Sequence, residues 1–440
     1  MSKVQSLSRM NRYCFVLLFS VIYVTMNSNK QKAGILMDIV QWFESVLIIF
    51  SLLFTSITGF LNGTNNDAQL LQEKTGGYIY GVCHPDENYE RIDELGLGWV
   101  RFDIPYPYNA DGSISTSYTE FKNRAKGYAD QGIKVLAITP YPRSYFDIGG
   151  FDPSADENAE RTKEIAVFLC NDLRDIIGGI QITNEMGVTN FTYPLTMEQA
   201  AKFIGIQAEA LNDVKGDLII GYNSAGVMEE LHYLMKPYLQ YMDYVGVDFY
   251  YGTWYGGELH DYISSVRKVN SITKKPIIMA EFGYISAGEP KSDAQRAEIL
   301  ARYGYESEAA ARADIENFVA KLPDALKSHV YEEFPDPATW GDAVFEAMDK
   351  HFYGYLNEAL TGIAHTPEGQ AEFYRELLPA LKKIDCLAGF FVFCWRDSPA
   401  CWYCGQSDCP YETAWGITDV NGNPKPAFYA IKDAMAAFEK

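Results

Sequence analysis

The sequence predicts an α/β protein of the (β/α)8 barrel class, the TIM barrel. From Gly76 onward, short apolar runs typical of parallel strands alternate with amphipathic helical stretches, and eight such runs are present. An open doubly wound sheet would show the same alternation, but the first run is followed by GVCHPDEN rather than a glycine-rich phosphate loop. We therefore expect a closed barrel over residues 76–440.

The predicted strands are rich in Val, Ile and aromatic residues, as expected of parallel strands that are buried on both faces. In chain order they are residues 78–82, 99–104, 134–139, 179–183, 217–222, 244–250, 276–281 and 389–395. Helical spacing of apolar residues lies between them, at residues 86–95, 119–131, 159–177, 196–214 and 262–270.

One connection is far longer than the others. Residues 282–388 separate the seventh strand from the eighth, whereas such loops usually have about 2–6 residues. Thr366 and Pro367 are typical of a helix start and indicate the seventh barrel helix. The excess, about residues 285–365, predicts a helical insertion. It either walls the cleft, with aromatic side chains in subsites, or decorates the outer surface; the aromatic residues in question are Tyr303, Tyr305, Trp340 and Tyr353.

Residues 1–75 are interpreted as a targeting region and linker rather than part of the barrel. Apolar runs at residues 14–26 and 46–60 follow basic residues, and the second run approaches the roughly 20 residues of a membrane helix. The positive-inside rule then predicts an extracellular protein, or a membrane-anchored one that faces outward. Two full spans would instead return the chain to the cytoplasm. We favour a single export segment. Met37 could be the true start of the chain, and the second apolar run would then be an ordinary signal or anchor.

Composition narrows the classes of partner. The formal net charge of −21 argues against nucleic acid and anionic membrane surfaces, and leaves neutral or basic substrates open. Aromatic residues make up 14% of the chain, which suits both core packing and stacking on the apolar faces of sugar rings. No motif for a cofactor or a structural metal is found, so we expect neither.

Two predicted strands end in a glutamate. They are the stretches ITNEMG at residues 182–187 and PIIMAEFG at residues 276–283, which place Glu185 and Glu281 at strand tips. Barrel enzymes carry their chemistry at this end of the strands. Cleavage of a glycosidic bond requires one protonated and one ionised carboxyl group, which such a pair supplies. The sequence therefore predicts a glycosidase that acts on a carbohydrate.

Further residues at the ends of the predicted strands resemble those of a known group of enzymes. Together with the two glutamates, the ends of other strands resemble clan A of the glycoside hydrolases, which comprises retaining (β/α)8 enzymes; these positions are Asn184, Arg101, Tyr250 and Trp395. Residues 247–252, 415–418 and 423–427 are similar to the catalytic domains of family 2, and family 5 shares the barrel pattern. Asp248 stands where family 2 usually has Asn.

The resemblance implies roles for these residues. Glu185 would be the acid/base and Glu281 the nucleophile of a retaining double displacement, which needs no metal. Arg101 and the Tyr250 hydroxyl would surround Glu281 and favour its charged form. Asn184 would bind the sugar 2-hydroxyl, and Trp395 would form the floor of the subsite on the non-reducing side of the cleaved bond.

Structural explanations compete with these roles. Single glutamates at strand ends also serve as surface charges, Arg101 also fits a strand tie, and Trp395 also fits the core. Only one of Tyr250 and its neighbour Tyr251 can point inward, because side chains alternate along a strand. Positional arguments alone add His84 as a substrate-binding residue, and they place Asp103 and Tyr141 at the cleft. Trp254 and Tyr255, in the loop after the sixth strand, are expected to form an outer sugar platform.

Three cysteines form a C-x2-C-x4-C pattern after the eighth strand, at Cys401, Cys404 and Cys409. In an exported protein this favours a disulfide over zinc, since the spacing fits no four-ligand zinc site and no histidine completes it. Cys83 is a candidate fourth member, because the first and eighth strands are neighbours in a closed barrel. The pairing itself stays open.

The sequence thus predicts an exported, retaining β-glycoside hydrolase that acts on oligo- or polysaccharides. Two other classes remain as alternatives. One is a catalytically silent carbohydrate-binding barrel, and the other is a cell-surface interaction module that uses the insertion as its contact surface.

Overall fold

Eight parallel strands form a closed barrel in which each strand pairs with its neighbours in chain order, and the eighth pairs with the first. The strands are β1 Ile79–Cys83, β2 Trp99–Asp103, β3 Lys134–Ile138, β4 Gly179–Ile182, β5 Ile219–Ala225, β6 Tyr244–Phe249, β7 Ile277–Phe282 and β8 Leu387–Val392. The predicted (β/α)8 barrel is confirmed, and the strand bounds agree with the sequence prediction to within a few residues.

This computed structural model describes residues 67–288, 293–354, 358–402, 405–407 and 409–438. The apolar runs at residues 14–26 and 46–60, on which the predictions of export and anchoring depend, lie outside these ranges. Within the described residues, none of the helices combines the length and the apolar character that a membrane span requires.

Helices follow the strands, and the longer ones cover the outside of the barrel. They are α1 Tyr89–Glu94, α2 Thr116–Asp130, α3 Pro142–Asp147, α4 Ala159–Leu173, α5 Thr189–Thr192, α6 Met197–Val214, α7 Glu229–Met235 and α8 Leu259–Thr273, then, after the insertion, α14 Pro367–Leu381, α15 Pro410–Thr413 and α16 Pro426–Phe438. The predicted start of α14 is confirmed: Thr366 is its N-cap, with Pro367 in the first turn, and its hydroxyl accepts a hydrogen bond from the Gly369 amide at 3.0 Å.

The strands bury both faces, since side chains alternate between the barrel interior and the helix layer. Inside the barrel, residues such as Trp99, Leu136 and Tyr244 form a small apolar cluster below the carboxyl end of the strands. A much larger cluster joins the outward-facing side chains to the helices. The interior is therefore a packed floor, and polar side chains are found above it.

In the described part of the insertion, five α-helices follow β7: α9 Asp293–Arg302, α10 Glu308–Ala313, α11 Ile315–Lys321, α12 Asp324–Glu333 and α13 Trp340–Tyr353. Its buried residues belong to a third cluster, which also includes Tyr250, Tyr411 and Trp415 from the loops at the carboxyl end of the barrel. The insertion consequently packs at the end of the barrel where the predicted catalytic residues lie, and not only on the outer helices.

The expected role of the insertion's aromatic residues is wrong for two of them. Tyr305 and Trp340 are buried in the cluster of the insertion itself, and Tyr303 packs edge to face on Phe318. They stabilise the insertion because five short helices need an apolar core of their own. The side chain of Tyr353 lies outside what the structure describes.

Candidate active site

The predicted polar residues meet at the carboxyl end of the barrel. Arg101 lies on β2, Asn184 and Glu185 lie two and three residues past the end of β4, Tyr250 follows β6, and Glu281 lies near the end of β7. Because all strands are parallel and the barrel is closed, residues that end different strands converge on one side of the molecule.

The Glu281 carboxylate accepts two short hydrogen bonds, one on each oxygen. Arg101 Nη1 lies 2.5 Å from Oε1, and the Tyr250 hydroxyl lies 2.5 Å from Oε2. The ion pair with Arg101 is buried: its side chain is 0% exposed and that of Glu281 is 7% exposed. A guanidinium and a hydroxyl that both donate to a carboxylate stabilise its charged form.

Arg101 is held in place by several acceptors besides Glu281. Its Nε donates to Gln181 Oε1 at 2.9 Å, and its Nη2 donates to Asn184 Oδ1 at 2.6 Å. Gln181 in turn donates to Asn184 Oδ1 at 3.1 Å. Gln181 was not among the predicted site residues, although its place two positions before Thr183 in an otherwise apolar strand marked it as unusual.

Glu185 sits on strained backbone. Its φ angle is +44° and that of Thr183 is +57°, a region that residues other than glycine rarely adopt. Hydrogen bonds fix the segment, since the Glu185 amide donates to Asn223 Oδ1 at 2.8 Å and the Thr183 amide donates to Thr139 Oγ1 at 3.0 Å. Strain of this kind is often found at functional sites, where the surroundings enforce it.

The two glutamates have different surroundings. Burial, and then the nearby charge of Glu281, raise the pKa of Glu185 to about 8, while Arg101 acts in the opposite direction. The raised pKa favours the protonated form of Glu185, whereas the carboxylate of Glu281 accepts hydrogen bonds from Arg101 and Tyr250. Pairs of carboxyl groups with such different environments divide into an acid and a base or nucleophile.

A third carboxyl group, Asp248, lies beside this pair. One oxygen each of Glu185, Asp248 and Glu281 lie within 4.8 Å of one another. Asn223 Nδ2 donates to Asp248 Oδ2 at 2.5 Å. The other oxygen of Asp248, Oδ1, is buried and has no hydrogen-bond partner among the described residues. Burial, followed by the charges of Glu281 and Glu185, raises the pKa of Asp248 well above its ordinary range.

Asp248 was missed as a site residue although the sequence contained a signal for it. It precedes Tyr250 by two positions, so strand alternation places both side chains on the inner face of the barrel. Three carboxylates also resemble a set of ligands for a divalent cation. Both Glu281 oxygens, however, already accept from Arg101 and Tyr250, so a cation would compete with a bound guanidinium.

The structure corrects the expectation for Trp395. Its ring is 1% exposed and packs edge to face on Phe428 of α16, in the core outside the barrel. Phe393 contacts the site instead, since its ring lies edge to face with Tyr250 at 5.7 Å and with His84 at 5.6 Å. β8 ends at Val392, and the backbone beyond it hydrogen-bonds to residues 417 and 418, so Trp395 lies past the end of the strand and packs in the outer core.

His84 is exposed beside Phe393, at the rim of the site, and its backbone adopts a positive φ of 49°.

Asp103 and Tyr141 form a pair, in which the Tyr141 hydroxyl donates to Asp103 Oδ1 at 2.6 Å. Burial, and then Asp103, raise the pKa of Tyr141. The Tyr255 hydroxyl accepts a hydrogen bond from the Tyr250 amide at 3.1 Å, so it supports the chain and does not form a platform.

The cysteine predictions are tested only in part. Cys83 is buried, forms no disulfide, and lies with its thiol 3.4 Å from the Ala280 carbonyl oxygen and 3.6 Å from Arg101 Nη1. It therefore contributes to the surroundings of the arginine, and the idea that it completes a cysteine group is wrong. Cys404 lies outside the described residues, so pairing among the last three cysteines stays a prediction.

Comparison with known proteins supports the fold. No family model matches the chain, and no curated protein matches its sequence. Among solved structures, a family 39 glycoside hydrolase from the gut symbiont Bacteroides cellulosilyticus WH2 has a TM-score of 0.51 at 12% identity, covering 82% of this chain and 64% of that one. The exo-beta-1,4-mannosidase Op5Man5 from Opitutaceae bacterium strain TAV5 has a TM-score of 0.50 at 14% identity, covering 82% and 59%.

The chain therefore shares its barrel with glycoside hydrolases, and the predicted resemblance to clan A is confirmed at the level of the fold. It spans roughly three fifths of the length of these two proteins. At such low identity the likeness concerns the fold alone, and the chemistry has to be argued from the residues of this chain.

Proposed function

We propose that this protein is a retaining β-glycosidase. The observation that carries the proposal is the pair formed by Glu185 and Glu281, which approach within 4.8 Å at their nearest oxygens and have different hydrogen-bond surroundings. Retaining glycosidases separate their carboxyl groups by about 5 Å, whereas inverting enzymes need about 6.5–9.5 Å to admit a water molecule.

In the first step, Glu281 attacks the anomeric carbon while Glu185 donates its proton to the oxygen of the leaving group. One glycosidic bond breaks, one ester bond to Glu281 forms, and the alcohol departs. Glu185 becomes ionised as Glu281 loses its charge, so the site keeps its net charge throughout the step. No group outside the described residues is needed for this exchange.

In the second step, the ionised Glu185 removes a proton from water, and the resulting nucleophile displaces Glu281 from the same carbon. Two inversions give net retention of the anomeric configuration. As Glu281 leaves, its charge returns, and Arg101 and the Tyr250 hydroxyl are already in place to receive it. Donors that need no reorganisation lower the barrier for the departure of a charged group.

We infer that the substrate is a β-linked oligo- or polysaccharide, and that Asn184 binds the hydroxyl next to the reacting carbon. Asn184 Oδ1 accepts from Arg101 and Asn223, so its amide nitrogen is oriented away from them. We further propose export, because the N-terminal sequence has the apolar and basic pattern of a signal or anchor. Fractionation of cells that produce the full chain tests the export proposal, and a cytoplasmic product would refute it.

The reaction is tested with a panel of aryl β-glycosides and β-linked polysaccharides. β-Mannosides belong in the panel, since one protein with this fold is an exo-beta-1,4-mannosidase. Proton NMR of the first product should show the β anomer, and Glu281→Ala should release none. An α anomer as first product would exclude the retaining mechanism, and inactivity on all substrates would favour the silent carbohydrate-binding barrel.

A further inference from the structure

The tryptophans of this protein fall into two groups by exposure. Six of the seven lie within the described residues, and four of these are 1–4% exposed. Trp254 and Trp402 differ sharply, at 42% and 62%. Large aromatic side chains are normally buried, because their apolar surface is costly to expose to water.

These two exposed tryptophans are neighbours in space although they are far apart in the chain. Their ring centroids lie 6.4 Å apart, and the ring planes differ by only 28°. Trp254 belongs to the loop after β6, and Trp402 to the loop after β8. Both strands pair with β7, which carries Glu281, so the tryptophans come from the two loops that flank the nucleophile.

Trp254 is supported from below. Its ring lies edge to face with Tyr411 at 5.2 Å, and Tyr411 is 2% exposed within the insertion cluster. This contact connects the insertion to the rim of the cleft: Tyr305 and Trp340 are buried within the insertion cluster, and that cluster supports an exposed ring.

Trp254 also lies close to the reacting residues. Thr253 and Tyr255 hydrogen-bond to the backbone of Tyr250, whose hydroxyl contacts Glu281. The chain from Tyr250 to Trp254 is four residues long, so their Cα atoms are at most about 14 Å apart even when it is fully extended. A short oligosaccharide covers that distance, so a sugar chain held at Glu281 can also contact Trp254.

We propose that Trp254 and Trp402 form a stacking subsite for a sugar ring of the substrate other than the ring that Glu281 attacks. The ligand class is a neutral β-linked oligosaccharide, whose rings present an apolar face of C–H groups to an indole. This inference rests on the proposed function, because it takes the Glu281 site as the place where the same chain is cut. The stacking interaction is expected to select longer substrates over single sugars.

The first test compares two substrates of the same sugar: the glycosyl fluoride, which has no ring on the leaving-group side, and the matching pentasaccharide. Trp402→Ala and Trp254→Ala should each lower kcat/KM on the pentasaccharide about tenfold, the effect of one stacking contact. On the fluoride, both variants should stay within about threefold of the wild type. Tyr233→Ala is the matched control, since Tyr233 is 50% exposed on α7.

The second test measures binding without turnover, so that the two proposals can fail separately. In the full chain with Glu281→Ala, affinity electrophoresis in β-mannan, β-glucan and β-galactan gels should show retardation that Trp402→Ala removes. Retardation that depends on Trp402, without hydrolysis by the wild type, would overturn the glycosidase and keep the subsite. If the wild type hydrolyses the substrates, and both tryptophan variants change kcat/KM equally on the fluoride and the pentasaccharide, the subsite would be overturned and the glycosidase kept.

Discussion

Replacing Tyr250 by Phe removes the hydroxyl that donates to Glu281 Oε2 at 2.5 Å. The ring itself should stay in place, because it packs edge to face on Phe393 at 5.7 Å and on Trp415 at 5.2 Å. Burial, and then Glu281, raise the pKa of Tyr250, so in the wild type the hydroxyl remains a donor at every pH at which the enzyme works. The substitution therefore isolates one hydrogen bond.

Tyr250→Phe should slow mainly the second step, in which Glu281 leaves the sugar. During attack Glu281 gives up charge, whereas during departure it regains charge, so the hydroxyl stabilises the transition state in which Glu281 leaves. A hydrogen bond to a charged group contributes about 1.5–3 kcal/mol, which corresponds to a factor of about 10–150 in rate. We expect kcat to fall by that factor, and kcat/KM, which reports the first step here, to fall by less.

Stopped-flow kinetics with a dinitrophenyl β-glycoside measure both steps. Tyr250→Phe should show a burst of about one dinitrophenolate per enzyme, because the glycosyl-enzyme accumulates. Tyr251→Phe is a matched control: its hydroxyl bonds to Ser265 Oγ at 2.7 Å outside the barrel, so only stability should change. A kcat within threefold of the wild type, or an equal fall of kcat and kcat/KM without a burst, would refute the reasoning.

Three further predictions concern the carboxyl groups. Glu281→Ala should be inactive on every substrate, while Glu185→Ala should retain the first step with dinitrophenyl leaving groups and regain turnover with azide; equal loss without rescue would contradict the assigned roles. Wild-type kcat/KM should fall as pH rises through about 8, since Glu185 must be protonated to act as an acid; a profile still flat at pH 10 would exclude this. Asp248→Asn should leave that alkaline limb in place, because burial raises the pKa of Asp248 and so favours its neutral form, and the amide is neutral too; a limb displaced to lower pH would show that Asp248 is ionised. The raised pKa of folded Asp248 also makes the wild type lose stability as pH rises above the ordinary pKa of aspartate, so the melting temperature of Asp248→Asn should fall less over that range.

Much of the barrel was predictable because buried parallel strands have a local sequence pattern. Runs such as residues 135–138 and 277–280 are continuous and apolar, and they alternate with helical periodicity. The start of α14 was predictable for a similar reason, since Thr366 and Pro367 act within a single turn. Local chemistry of this kind needs no knowledge of the tertiary fold.

The convergence of the site residues followed from topology. Once the strand order is known, Arg101, Glu185 and Glu281 must lie at one end of the barrel. Which of two adjacent tyrosines points inward was left open by the sequence, and the structure places the Tyr250 hydroxyl on Glu281 and that of Tyr251 on Ser265. Alternation predicts that the two differ, but the register that selects one depends on pairing with β7, where a bulge lies between Val247 and Asp248.

The sequence by itself therefore determined the barrel, the order of its strands, the insertion and the two glutamates, because each depends on periodicity or on position along one strand. Only the tertiary structure decided that Phe393 and not Trp395 contacts the site, and that Trp254 meets Trp402. These facts depend on contacts between distant segments, where small changes in strand register and in loop path determine which side chains meet. Sequence periodicity carries no information about such paths once a strand has ended.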